Sequence, residues 1–179
     1  MQPLLSFSKA VDRLTTRVGH AVYWLVLLAV LVSAGNAVIR YSLDRSSNAW
    51  LELQWYLFSA VFLLCAAYTL LENAHIRIDI VASRLQKRTQ DWIDVIGHVF
   101  FLLPLCLLVL YEGWPYFWSS LMTGEISGNA GGLIRWPVRL LIVLGFGLLL
   151  LQGLSELIKR VAVIRGLIPD PHAPKSGSH

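Results

Sequence analysis

Residues 46–79 read SSNAWLELQWYLFSAVFLLCAAYTLLENAHIRID, and this stretch decides the class of protein. A polar, tryptophan-rich entry leads into 17 uncharged residues, 55–71, and the exit is a polar His-Ile-Arg-Ile-Asp. An apolar run of that length, with amphipathic aromatics at one end and charge at both, is what a bilayer-spanning helix requires.

Three more runs of the same kind lie around it. Residues 21–39 and 140–155 carry no charge, and 95–111 hold only His98. Hydrophobic residues make up 56% of the 179-residue chain and charged ones 15%, with a mean hydropathy of +0.60, too apolar for an ordinary soluble domain. These features predict an all-α, integral membrane four-helix bundle with spans near 19–40, 50–71, 93–114 and 137–158. They make 18–165 a single membrane domain. Pro104 falls inside the third span, where a kink is expected. Residues 166–179 include PDPHAPKSGSH and read as a disordered tail. The first apolar run is long enough to span and no small-residue cleavage site clearly follows it, so a cleaved signal peptide is not expected.

Segment 1–17 is open to two readings. Leu4, Phe7, Val11, Leu14 and Val18 recur at helical spacing, with Lys9, Asp12, Arg13 and Arg17 mostly outside that stripe. A short amphipathic helix lying in the membrane interface fits this pattern, and so does a frayed polar terminus.

Basic residues set the orientation. Lys9, Arg13, Arg17, Arg77, Arg84, Lys87, Arg88, Lys159, Arg160, Arg165 and Lys175 fall on one side, leaving only Arg40, Arg45, Arg135 and Arg139 opposite. The positive-inside rule then makes both termini cytoplasmic. The net charge of +4 reflects this topology and is no sign of nucleic-acid binding.

The sequence shows no metal spacing, phosphate loop or nucleophile-plus-base motif, so no catalytic, metal or cofactor site is assigned. Cys65 and Cys106 fall at different depths and read as small apolar residues. The carboxylates Glu52, Glu72, Asp94, Glu112 and Glu156 all read as helix-end or loop residues, which argues against a stand-alone proton antiporter. Asn36 and Gln152 are the main amides within spans. With Gly145 and Gly153 they are candidates for close helix packing.

Glu52 reads either as an acid favouring a helix N-terminus or as a contact for another chain. Trp50 and Tyr56 read as an interfacial belt or as part of the same contact, and Glu125, Arg135 and Trp136 belong with them on the second outer loop, 115–137. At the cytoplasmic exit, His75, Arg77 and Asp79 suit a fixed turn. The rival reading of the histidines is haem ligation, because His20, His75 and His98 all lie near cytoplasmic ends of spans.

The chain resembles the small membrane subunit (Q type, DctQ-like) of a tripartite ATP-independent periplasmic (TRAP) transporter. The likeness is carried by Asn36 with Ile39-Arg40-Tyr41, Trp50-Leu-Glu52 with Tyr56, His75-Ile-Arg77-Ile-Asp79, and Trp136-Pro137. The phrases SSNAWLELQWYLF, GEISGNAGGLIRWP and LLQGLSELIKR resemble the mannitol or chloroaromatic branch. One departure is Leu51, where many relatives carry a second acid. The resemblance implies a non-enzymatic scaffold in a bacterial inner membrane, serving a sodium-driven symporter. Its partners would be a large multi-spanning subunit, which holds the substrate and sodium sites, and a periplasmic substrate-binding protein. The alternative is a haem-bearing or structural membrane anchor of a respiratory enzyme.

Overall fold

The computed structural model describes residues 1–43, 47–73 and 86–169, and it is all-helical apart from one isolated bridge. Helix α1 spans Gln2–Leu43, α2 Asn48–Leu71, α3 Lys87–Gly97, α4 Leu103–Thr123 and α5 Trp136–Ile164. A π-helical turn, His98–Leu102, joins α3 to α4, so that Lys87–Thr123 is one rod of 37 residues. Four helices, counting the rod as one, are long and apolar enough to cross a membrane. His75, Arg77 and Asp79 lie outside the described residues.

Direction alternates along the chain. Gln54 Nε2 donates to Ser33 Oγ at 3.2 Å while Tyr68 packs on Gly19, which sets α2 antiparallel to α1. Gly113 of the rod meets Ile142 and Val143 of α5, and Leu102 meets Gly153, so these two are antiparallel as well. The chain's first residues and the end of α5 therefore share one end of the molecule, the terminus end. The 124–135 loop occupies the other, the loop end.

Helix α5 is the hub. It receives α2 along one half, α1 along the other, and the rod along a separate face. Its most apolar 18-residue window is 33% buried, against 6% for that of the rod. The interior is made of small and polar groups: Ala29, Ala60, Ala67, Cys106 and Ala162 are buried, as are Ser8, Thr15, Ser120 and Gln152. Large apolar side chains such as Trp24, Phe62, Phe101 and Tyr111 face outward. This inversion suits a lipid solvent, in which large apolar groups gain nothing by leaving the surface and helices associate through close backbone approach. Both cysteines are free.

Two sequence expectations change here. The N-terminal segment is the beginning of α1, whose 42 residues rise about 63 Å, roughly twice a hydrocarbon core. Its packed face is Ser8, Val11, Thr15 and Gly19, while Leu4, Phe7 and Leu14 of the apolar stripe stay exposed. The helix that carries the third expected span runs on through Trp114 and Pro115 to Thr123, so the loop expected from 115 begins at Gly124. Residues 113–122 carry no charge, a membrane helix tolerates proline, and Gly124 at φ +59° supplies the left-handed stop. Pro104 is met by the π turn, where the Leu103 N–H reaches back to the His98 carbonyl and widens the helix ahead of the proline ring.

Gly145 marks the closest approach between α2 and α5. A Cβ there would lie 2.8 Å from Leu63 Cβ and 2.9 Å from its backbone oxygen. Gly145→Leu is expected to destabilise the fold by about 1–3 kcal/mol through overpacking. Gly147→Leu, with open space around that position, is expected to be neutral. Heating each variant in detergent before size-exclusion chromatography separates the two.

Candidate functional site: a clasped loop and a polar seam

At the loop end, α2 presents Asn48, Glu52 and Tyr56, spaced by one turn each, to the 124–135 loop. Asn48 Nδ2 donates to the Ala130 carbonyl at 3.1 Å, and Tyr56 hydroxyl donates to the Ile134 carbonyl at 3.0 Å. Between them the Glu52 carboxylate accepts from the Leu133 amide at 2.7 Å, from Asn129 Nδ2 at 2.8 Å and from Ser127 Oγ. Glu52 is buried beneath the loop. It does not cap its own helix, because Ser47 is the N-cap and accepts from the Ala49 amide.

The loop is folded to meet this grip. Ile126 and Ile134 form an antiparallel bridge, and the Ser127 amide donates to the Leu133 carbonyl at 2.9 Å. A turn closes from the Gly132 amide to the Asn129 carbonyl at 2.9 Å, with Gly131 at φ +72°, a conformation that favours glycine. Gly132 has to be small, since a Cβ there would sit 2.5 Å from that of Ser127. Residues 128–131 are exposed and uncharged.

Glu125 ties the loop to the helices. Its carboxylate accepts from the Arg139 guanidinium at 2.7 Å and from Arg135 at 3.4 Å. Arg139 is itself buried, stacks 3.9 Å over the Tyr116 ring of α4, and donates to the Tyr116 carbonyl. Between α2, α4 and α5 this leaves a cavity of about 310 Å³, lined by Glu52, Trp55, Tyr116, Asn129, Arg135 and Arg139 among others. Of the residues grouped from sequence, Glu52, Tyr56, Glu125 and Arg135 come together here. Trp50 points outward, and Trp136 opens α5 beside Pro137. Arg139, Asn48, Ser127 and Asn129 were missed. The signal for the first two was present, as a one-turn spacing of polar groups at 48, 52 and 56 and an arginine facing the only loop acid.

The terminus end holds a second network that sequence reading did not anticipate. Gln152 is fully buried, accepts from Thr15 Oγ1 at 2.8 Å, and donates to Asp12 at 2.9 Å and Glu156 at 3.0 Å. Lys159 lies 3.1 Å from Asp12 and also pairs with Glu156. Ser8 and Ser155 share a hydrogen bond of 2.6 Å. On the rod side Arg160 pairs with Asp91 at 3.1 Å and Asp94 at 3.4 Å. Glu156 is thus a buried interior residue of α5 and not a helix-end group. The Glu156–Lys159 pair is local to α5, but the seam went unread because Asp12, Thr15 and Ser8 lie some 140 positions away and join it only when α1 lies along α5.

Asn36 is buried with its Oδ1 unpartnered among the described residues, and Arg40 is exposed in the last turn of α1, where a cation suits the helix dipole. Gly153 faces Leu102 at a close helix contact. Among the described residues, His20 and His98 are not brought together. His20 packs with Tyr23 and Tyr68, while His98 Nδ1 lies 2.7 Å from the Asp94 carbonyl. Since Thr15 is level with Gln152 and Leu102 with Gly153, His20 and His98 are offset by roughly ten residues, about 15 Å, along α5.

Fold and site define a multi-pass membrane protein whose polar side chains hold its helices and one structured loop in place. Residues 29–163 match the family described as tripartite ATP-independent periplasmic transporters, DctQ component, and the chain belongs to that family. This is a family of transporter components, not of enzymes. No curated protein and no solved structure is significantly similar to the chain.

Proposed function

We propose that this chain is the small scaffold subunit of a sodium-coupled, binding-protein-dependent secondary transporter for an organic, carboxylate-bearing solute. It stabilises the large transport subunit, and its loop end docks the periplasmic binding protein. The observation that carries this reading is the clasp. Glu52, Asn48 and Tyr56 hold the 124–135 loop from one side, and Glu125 and Arg139 hold it from the other. A loop held so firmly, with an uncharged tip, is suited to receive a protein partner without losing conformational entropy on contact.

The orientation follows from charge. The basic excess at the terminus end favours the cytoplasm of a bacterial cell, with the loop in the periplasm. There the exposed Leu4, Phe7 and Leu14 of α1 are placed to meet the inner headgroup layer. The test is to purify the tagged chain from native membranes in mild detergent, identify its companions and record the absorption spectrum. Recovery of a large multi-spanning subunit with no Soret band is the expected result. Recovery with redox subunits and a Soret band would overturn the reading in favour of a haem-bearing anchor.

A further inference from the structure

Glu112 reads from sequence as the end of a span, but in the structure it belongs to the interior of the rod. Residues 99–123 are uncharged apart from it, and its neighbour Gly113 packs against Ile142 and Val143 within the uncharged part of α5. The Glu112 side chain is exposed, and among the described residues it makes no hydrogen bond or ion pair. Arg139 of α5, which stacks on Tyr116 one turn beyond Glu112, is committed to Glu125 and to the Tyr116 carbonyl. Pro115 lacks the N–H that would bond the Tyr111 carbonyl, so a second acceptor lies beside the carboxylate. Glu112 borders a shallow groove of about 560 Å³ lined also by Leu108, Val109, Gly113, Pro115, Tyr116 and Ile142.

A carboxylate at membrane depth needs a partner, because hydrocarbon offers no hydrogen bonds. We propose that the Glu112 groove is the surface on which a helix of the large transport subunit packs, and that this helix presents an arginine or lysine to the carboxylate. The proposal rests on the reading of this chain as a transporter subunit. Three features select that occupant. A second copy related by two-fold symmetry through this face would set Glu112 against Glu112, a like-charge contact. A soluble binding protein does not reach into the hydrocarbon layer. The rod is the span least covered by its own chain, and its exposed Leu108, Tyr111 and Pro115 flank Glu112 with apolar surface on which another membrane helix can pack.

The experiment co-expresses the tagged full-length chain with the large subunit of its transporter. A photo-crosslinking amino acid is placed at Leu108 or Tyr111, and Glu112→Gln and Glu112→Lys variants are made in parallel. Expected are crosslinks to the large subunit, and at least a tenfold drop in its recovery with Glu112→Lys. Glu112→Gln, which keeps a hydrogen-bond acceptor, should lose less. Chain yield and melting in detergent should be unchanged in both variants, since Glu112 is exposed and makes no hydrogen bond or ion pair among the described residues. Wild-type recovery from Glu112→Lys, or crosslinks to a second copy or to lipid alone, would overturn the proposal. If the unsubstituted chain recovers no large subunit, the transporter-subunit reading itself falls.

Discussion

Replacing Lys159 by methionine is expected to lower the stability of the isolated chain by about 3–5 kcal/mol, the usual cost of stranding a buried ionic partner. Lys159 is 9% exposed and sits between the Asp12 and Glu156 carboxylates, with Gln152 donating to both acids from below. Methionine fills much of the same volume, so the effect isolates charge from packing. The acids would then face one another without a cation, and α1 would part from α5 over the Ser8–Thr15 stretch. Equilibrium unfolding in mixed micelles, followed by tryptophan fluorescence, reads the loss. The decisive control is the triple variant Asp12→Asn, Glu156→Gln, Lys159→Met. With no charge left stranded it should recover most of the stability, because the attraction within a buried ion pair roughly offsets its desolvation. A triple variant as unstable as the single one would mean that Lys159 acts by packing alone.

Glu52→Lys is expected to release the 124–135 loop while leaving the membrane bundle assembled. The substitution removes the acceptor for Ser127, Asn129 and the Leu133 amide, and it sets a cation in a cavity already lined by Arg135 and Arg139. Protease should then cut the loop at least tenfold faster than in the parent chain. Uptake in reconstituted vesicles should fall by a similar factor, with the large subunit still recovered in full. Glu52→Gln keeps an acceptor and should lie between the two. Loss of the large subunit alongside uptake would show that Glu52 supports assembly and not a docking surface.

How far these features could be read in advance depended on their range. The four spans were legible, because each is a local run of uncharged residues whose length matches a bilayer. Their ends were less so. Pro115 and the serines at 119 and 120 look like breakers, yet the helix carries on to Thr123. In a helix whose next stop is a glycine at φ +59°, nothing earlier removes enough hydrogen bonds to end it. The apolar stripe of residues 4–18 left an interfacial helix and a frayed terminus both open, and the segment is helical with a packed face the stripe did not mark. Ser8, Thr15 and Gly19 are buried with Val11, because small and hydroxyl side chains let α1 approach its neighbours closely.

Glu52 shows the limit most clearly. The sequence marks it as an acid near a helix start, and a cap or a partner contact both suit that place. Its real partners lie some 75 to 81 positions away, on a loop whose path depends on Gly124, Gly131 and Gly132. Asn48 and Tyr56 share its face, so the stripe was visible while its target was not. Arg139 was equally visible as a basic residue, but its stacking on Tyr116 needs α4 to extend past residue 114.

By itself, then, the sequence determined that the chain has four helices apolar enough to cross a membrane, since hydropathy acts locally, and its short motifs carried the resemblance to a DctQ component. Only the tertiary structure decided which polar groups pair across the fold: Glu52 with the loop, Glu125 with Arg139, Asp12 with Lys159, and Glu112 with none of the described residues. The reason is the range of the forces involved. A hydrogen bond or an ion pair forms within a few ångströms of space, whatever the separation in sequence, and the helices must be packed before it can form.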